Sequence, residues 1–274
     1  MPLGPIKLIA SDLDGTMLDS SGQIPEKNLR AIAEAIRAGV IVTISTGRMY
    51  SSAASFARKL DLGSTPIICY NGAMIRSETG DTPMHLRLDL DVAREMLAIF
   101  RERGTYVQSY IDDELYVNDS SDRDFLHYQK HFGIIGTAIG DKVFEPQTPP
   151  TKLLTKTNGF EASRTLIKEF SERFKGRVYV TSSNEDFVEM MNPEADKGKC
   201  LRKLADILGI PMENVMALGD GDNDVEMIKC AGLGVAMANA RDETKSCARD
   251  IAPSNDGCGV AWAIEKYVLK HPMQ

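Results

Sequence analysis

The sequence has few of the features that mark secreted or membrane-spanning proteins. Among its 274 residues are five cysteines, an odd number with no Cys-x-x-Cys pair. This indicates reduced thiols in a cytoplasmic protein instead of a disulfide framework or a zinc site. No stretch approaches the ~18 consecutive apolar residues of a membrane-spanning helix. The N-terminus has neither the basic region nor the long apolar region of a signal peptide.

The sequence also has no excess of positive charge. Its formal net charge is −7, whereas proteins that bind nucleic acids present a basic face. The apolar share of 43% and the charged share of 26% are ordinary for a globular protein. We therefore expect neither a nucleic acid nor a membrane as a partner. The length allows two modest domains or one large one.

Two carboxylates follow the first apolar stretch of the chain. Residues 8–10 predict a buried strand, and alternate residues of an extended chain face the same side, so Asp12 and Asp14 are expected to share one space. In open α/β sheets this edge binds ligands. Paired carboxylates stay ionised beside a cation, or else one takes a proton, and Mg²⁺ with a phosphate would use both options. The alternative is a strand followed by an aspartate-rich turn.

A second apolar strand, separated from the first by a predicted amphipathic helix, ends in Thr46-Gly47-Arg48. A strand–helix–strand series implies a right-handed crossover and a parallel sheet, which places Thr46 at the same edge as Asp12. The Thr46 hydroxyl and the bare N–H of Gly47 suit a phosphate oxygen, and Arg48 adds positive charge. The alternative is a helix cap formed by Ser45 or Thr46.

An acidic stretch, residues 220–224, follows a further apolar strand at 215–219. A calcium-binding loop would need glycine at its sixth position and glutamate at its twelfth. Those positions hold Val225 and Ala231, so a calcium loop is excluded. Two interpretations of residues 220–224 remain, a second group of metal-binding carboxylates at a strand end and an ordinary solvated turn.

Lys197 begins a predicted helix that reaches residue 208. The helix dipole makes lysine unfavourable at that end, unless carboxylates and a phosphate lie close by. The alternatives are an ordinary surface lysine, or Lys199 in the same role if the helix begins a turn away.

Taken in order, these stretches resemble the motifs of the haloacid dehalogenase-like (HAD) phosphotransferases, and Tyr70-Asn71-Gly72-Ala73 resembles a stretch of their Cof-type subfamily. The resemblance implies that Asp12 is the nucleophile, Asp14 the general acid/base and Lys197 the charge-neutralising lysine. It implies a Mg²⁺ site made by Asp12, the backbone carbonyl of Asp14 and Asp220, with Asp224 either supporting the metal or holding Lys197. It places Thr46, Gly47, Arg48, Asn71 and Asn223 on the phosphate or substrate side, although Asn71-Gly72 is equally typical of a plain turn.

The predicted fold is α/β, a Rossmann-like core with a parallel sheet and an inserted α+β cap. Residues 84–192 lack phosphate-loop signals and interrupt the parallel pattern, so we assign 1–83 and 193–274 to the core. Insertion at this point is typical of the type IIB cap, which in this family sets substrate specificity.

The resemblance implies a Mg²⁺-dependent phosphatase that hydrolyses small phosphorylated metabolites, such as sugar phosphates, through an aspartyl-phosphate. One alternative is a phosphosugar mutase with similar core motifs. Another is a non-catalytic sugar-phosphate-binding protein, although such proteins tend to lose the nucleophile that is present here as Asp12.

Overall fold

The computed structural model describes residues 4–183 and 185–270, without the side chain of residue 131. It contains two compact units. The first unit consists of the chain through Arg48, Ala53–Met84 and the chain from Asp196 onward. The second unit consists of Met49–Ser52 and His85–Ala195.

The described residues form short strands and helices. The strands are β1 (Leu8–Ser11), β2 (Ile41–Ile44), β3 (Ile67–Cys69), β4 (Met74–Arg76), β5 (Met84–His85), β6 (Gln108–Ile111), β7 (Glu114–Val117), β8 (Gly136–Ala138), β9 (Lys152–Lys156), β10 (Tyr179–Thr181), β11 (Phe187–Met191), β12 (Val215–Gly219), β13 (Leu233–Met237) and β14 (Asp250–Ala252). The helices are α1 (Glu26–Arg37), α2 (Tyr50–Lys59), α3 (Leu90–Glu102), α4 (Arg123–Phe132), α5 (Phe160–Arg173), α6 (Lys197–Leu208), α7 (Val225–Cys230), α8 (Asp242–Cys247) and α9 (Gly259–Ile264).

The first unit is built on a five-stranded parallel sheet in the order β14-β13-β12-β1-β2. Strands β1 and β12 are buried along their whole length, as expected for apolar strands covered on both faces. Strand order reverses at β1, which lies between β2 and β12. Ligands in such sheets bind at the carboxyl ends of the strands beside this reversal. The predicted α/β fold with a parallel core sheet is confirmed.

The third apolar strand lies in a different sheet from the one expected. In the sequence, the apolar run at residues 66–70 predicts a third core strand, but β3 pairs antiparallel with β4 in a separate small sheet. A single parallel bridge between Ser45 and Ile68 joins it to the end of β2. Strand β4 has three residues, too few for a detectable alternation.

The second unit has a six-stranded sheet in the order β10-β11-β9-β6-β7-β8. Helices α3 and α5 share an apolar core with strands of this sheet, and Phe100 stacks on Phe170 with ring centroids 5.1 Å apart. In the sequence, residues 136–151 predict irregular structure, with three prolines near their end, but they contain β8, which runs parallel to β7, and a 3₁₀ turn at Gly140–Phe144. The short strand escaped detection because β8 has only three residues and two of them are exposed.

None of the helices within the described residues is long and apolar enough to cross a membrane. The cysteines are all free thiols, and Cys69 and Cys200 are buried.

Candidate active site

The candidate site lies at the carboxyl edge of the core sheet, where β1 and β12 end side by side. Ser11 pairs with Leu218, and the Asp12 N–H donates to the Leu218 carbonyl. Asp12 follows β1 directly and Asp220 follows β12 directly, so the parallel register brings both carboxylates to one place. The two acidic stretches therefore meet at one edge of the sheet.

Lys197 provides the positive charge at the centre of this acidic group. Its Nζ donates to Asp12 Oδ1 at 2.7 Å and to Asp224 Oδ1 at 2.6 Å, and its side chain is completely buried. Burial alone would lower the pKa of Lys197, but the charges of Asp12 and Asp224 raise it above its usual value. The competing candidate, Lys199, is exposed, and its backbone N–H is bound by the cap residue Asp196.

Asp224 organises the loop after β12 as well as the lysine. Its Oδ2 accepts the backbone N–H groups of Asp220 and Gly221, both at 3.0 Å. Both oxygens of this buried carboxylate are thus engaged, one by the loop and one by Lys197. The Asp224 side chain thus links the loop after β12 to Lys197, the first residue of α6.

The remaining carboxylates are held in an environment that disfavours their negative charge. Burial, reinforced by the charge of Asp224, raises the pKa of Asp220 to about 7, although Thr16 donates to its Oδ1 at 2.7 Å. Burial likewise raises the pKa of Asp12 well above its usual value, against the opposing effect of Lys197. Carboxylates in this state gain from a further cation.

The donor set fits a hard divalent cation. Asp12, Asp220 and Asp224 each offer a carboxylate oxygen, and these atoms lie within 4.8 Å of one another. Mg²⁺ prefers oxygen ligands of this kind and is commonly bound by one or two protein carboxylates. Gly15 leaves room beside this group, since a Cβ there would lie 2.3 Å from Asp220 Oδ2.

Asp14 is not part of this group of three carboxylates and binds Arg48. The guanidinium makes two bonds to its carboxylate, Nε to Oδ2 at 2.7 Å and Nη2 to Oδ1 at 2.6 Å. The Asp14 side chain is 38% exposed, against 7% for Asp12. Arg48 also lies over the ring of Phe56, 5.1 Å from its centroid. Two predicted site residues, one for proton transfer and one for phosphate, are therefore paired with each other.

Two further predicted phosphate ligands lie in buried loops of the first unit. The Thr46 hydroxyl accepts the Arg48 N–H at 3.2 Å, and a hydroxyl in this position can still donate its own proton. The Asn223 carboxamide donates to Asn71 Oδ1 at 2.8 Å. Gly47 lies beside Asn71, since a Cβ at this position would be 2.8 Å from Asn71 Oδ1.

Sequence reasoning missed the side chains that hold the turn after β1. Thr16 binds Asp220, the Asn239 carboxamide donates to the Gly15 carbonyl at 2.8 Å, and Asn255 donates to the Leu18 carbonyl at 2.9 Å. Asn239 could have been identified from its position in the sequence, because it comes shortly after β13, whose carboxyl end lies at the same edge of the sheet.

The chain matches known proteins along nearly its whole length. The model of the haloacid dehalogenase-like hydrolases matches residues 9–264. The Bacillus subtilis 5-amino-6-(5-phospho-D-ribitylamino)uracil phosphatase YwtE is 31% identical over 286 residues, covering 95% of this chain and 98% of that protein. The chloroplastic endoribonuclease YBEY of Arabidopsis thaliana is 32% identical over 272 residues, covering 95% of this chain. The chain spans only 46% of that longer protein's length.

Solved structures show the same fold. The crystal structure of TM0651 from Thermotoga maritima has a TM-score of 0.81 and 30% identity, covering 95% of this chain and 97% of that one. The HAD subclass IIB sugar phosphatase BT4131 has a TM-score of 0.83 over 95% of this chain and 98% of its own. Its identity is 19%, so this second similarity concerns the fold alone.

Proposed function

Because the chain belongs to the haloacid dehalogenase-like hydrolase family, we propose that it hydrolyses small phosphorylated metabolites through an aspartyl-phosphate on Asp12, with Mg²⁺ as cofactor. It is a HAD-type phosphatase, a phosphoric monoester hydrolase, and the proposal concerns its IIB cap type, substrate, metal and residue roles. The cytoplasmic location and the absence of nucleic-acid and membrane partners remain part of the proposal. Residues 84–192 are proposed to select the substrate.

The observation that carries the proposal is the buried contact of Lys197 with both Asp12 and Asp224. A carboxylate can attack a phosphate dianion only if nearby positive charge offsets the repulsion between them. Lys197 supplies one such charge directly at the Asp12 carboxylate. Because Lys197 is buried and bound to a carboxylate at the ligand-binding edge of the sheet, it is not the ordinary surface lysine of the alternative interpretation.

In the first step a carboxylate oxygen of Asp12 attacks phosphorus in line with the leaving oxygen. The new O–P bond makes the aspartyl-phosphate as the ester O–P bond breaks. Asp14, protonated for this step, donates its proton to the leaving oxygen. Asp14 can reach a substrate because its side chain is the more exposed of the two.

In the second step Asp14 removes a proton from water, which attacks phosphorus and releases inorganic phosphate from Asp12. Arg48 holds the Asp14 carboxylate by two bonds, which suits its ionised form in this step. The guanidinium is also proposed to contact the phosphoryl group once Asp14 is protonated and the pair weakens.

The transferred phosphoryl oxygens are proposed to be bound by the Thr46 hydroxyl, the Gly47 N–H and the Asn223 carboxamide. The metal would be held by Asp12, Asp220, Asp224 and the backbone carbonyl of Asp14. When bound, it supplies charge neutralisation and orients the phosphate. Lys197 makes the corresponding contribution from the protein itself.

The test is phosphate release from an aryl phosphate and from a panel of sugar and nucleotide phosphates, with Mg²⁺ or with EDTA. The panel includes 5-amino-6-(5-phospho-D-ribitylamino)uracil, which is named as the substrate of a full-length relative. Release that requires Mg²⁺ supports the proposal. Labelled phosphate that moves to a second hydroxyl instead of appearing as inorganic phosphate identifies a mutase. Absence of turnover on the whole panel, with phosphate esters still bound, identifies a binding protein.

A further inference from the structure

We propose that Asn71 is a positioning residue that orients the Asn223 carboxamide and fixes the shape of the loop Thr46–Arg48. The inference rests on the proposed function in one respect, because Asn223 and Thr46 are proposed there as phosphate ligands. Asn71 itself then acts through them without being required to touch the substrate. The 3₁₀ turn Tyr70–Gly72 carries this residue at the end of β3.

The backbone of this turn adopts an unfavourable conformation. Tyr70 and Asn71 both have φ of 53°, in the left-handed region, and both are fully buried. Bulky residues rarely adopt this conformation, and it persists only where surrounding contacts enforce it. Asparagine tolerates it better than most residues, which accounts for an asparagine at the second position. A buried tyrosine in this region indicates that the surrounding contacts hold the shape of the turn.

The contacts that hold the turn lead to the Thr46–Arg48 loop. The Tyr70 N–H donates to the Arg48 carbonyl and the Asn71 N–H donates to the Thr46 carbonyl, both at 3.0 Å. The close approach at Gly47 lets the loop lie directly against the Asn71 carboxamide. The turn is therefore hydrogen-bonded to both ends of the loop, at Thr46 and at Arg48, and the Asn71 side chain packs against its middle residue, Gly47.

The Asn71 carboxamide also reaches the loop after β12. Its Oδ1 accepts from Nδ2 of Asn223, a residue that is only 5% exposed. The Asn223 oxygen lies against Gly221, where a Cβ would be 2.5 Å from it. With the oxygen placed there and one N–H bound to Asn71, the orientation of the amide is fixed. Asn71 thereby sets the direction of the second N–H of Asn223, which would donate to a phosphoryl oxygen.

A third contact extends the arrangement to the lysine. The Tyr70–Gly72 turn packs on α6, whose first residue is Lys197. One buried turn thus touches the segments that carry Thr46, Lys197 and Asn223. A turn that only connected β3 and β4 would not need a buried carboxamide shared with Asn223.

The test is a double-mutant cycle of Asn71→Gly and Asn223→Ala. Glycine keeps the left-handed backbone and removes the whole side chain, including the carboxamide. Asp61→Gly is the matched control for the backbone change, since exposed Asp61 also has φ of 53°. We expect Asn71→Gly to lower kcat/KM about 10- to 100-fold, and Asp61→Gly to change it less than about twofold. The double variant should be no more than about threefold worse than Asn223→Ala alone, because residues that act as a unit are non-additive. Should Asn71→Gly not fold, Asn71→Ser replaces it in the same cycle.

Fully multiplicative losses in the double variant, or an Asn71→Gly enzyme with wild-type kcat/KM, would overturn the inference. Calorimetric titration of inorganic phosphate in the presence of Mg²⁺ repeats the cycle without turnover. If no ester is hydrolysed but phosphate binding shows the same non-additive loss, the proposed function fails and the positioning role stands. A wild-type protein that binds no phosphate overturns both.

Discussion

The buried carboxylate Asp220 makes the stability of the metal-free protein depend on pH in an uncommon direction. Its pKa in the folded protein is about 7, raised by burial from the usual 3.8. Between these values the folded protein keeps a proton that the unfolded chain has released. The folded state binds more protons, so the free energy of unfolding falls as the pH rises through this window and levels off above pH 7.

The size of the effect follows from the width of the window. A difference of about three pH units, at ~1.4 kcal/mol each, gives about 4 kcal/mol as an upper value for the stability lost through Asp220. The raised pKa of Asp12 acts in the same direction. Asp250, whose pKa is lowered despite the opposing effect of burial by its bonds to Lys266 and Tyr267, acts in the opposite direction. The contribution of Asp220 alone is therefore measured as the difference in the free energy of unfolding between wild type and Asp220→Asn.

Urea unfolding in EDTA between about pH 4.5 and pH 7.5 measures this difference. We expect the stability of wild type relative to Asp220→Asn to fall by about 2–4 kcal/mol across the range. The exposed control Asp61→Asn should follow wild type. Saturating Mg²⁺ favours the ionised carboxylates, so it should flatten the wild-type curve and stabilise the protein most above pH 7. If the free energy of unfolding of wild type relative to Asp220→Asn stays constant or grows with pH, the reasoning is refuted.

Three further substitutions probe the same site. Lys197→Met leaves the surrounding carboxylates without their buried partner and should lower the free energy of unfolding in EDTA by about 3–5 kcal/mol in urea titrations; a loss under about 1 kcal/mol would contradict the buried pair. Arg48→Lys removes the two parallel hydrogen bonds to Asp14 and should lower kcat/KM about 10- to 100-fold at an unchanged melting temperature. Unchanged kcat/KM would show that the Arg48–Asp14 pair has no role in turnover. Thr16→Val removes a donor to Asp220 and should raise the Mg²⁺ concentration for half-maximal activity about tenfold; an unchanged Mg²⁺ titration would exclude Thr16 as a support of the metal ligand.

Residues at strand ends could be predicted from the sequence because their positions depend on local structure. Asp12 and Asp220 each follow an apolar strand, and the parallel crossover brings such ends to one edge. Lys197 stood out because it lies at the wrong end of a helix for its charge. These inferences need only strand boundaries and topology.

The side-chain partnerships could not be predicted in this way. The hydrogen bonds between Arg48 and Asp14 depend on the rotamers of two side chains from different loops, one of them the long side chain of arginine. The bonds of Asn239 and Asn255 to the turn after β1 join positions more than two hundred residues apart. The antiparallel partner of β3 was missed because a three-residue strand carries almost no periodic signal.

The central claim, that Asp12 becomes phosphorylated, is tested most directly by trapping the covalent intermediate. An aryl phosphate with a good leaving group needs little help from a general acid, so Asp14→Asn should form the aspartyl-phosphate and hydrolyse it slowly. Rapid quenching with labelled substrate and peptide mapping should then find the label on Asp12, removable by hydroxylamine. Asp12→Asn should carry no label and show no turnover. Label on another residue, or an Asp12→Asn protein that keeps most of its activity, would contradict the account.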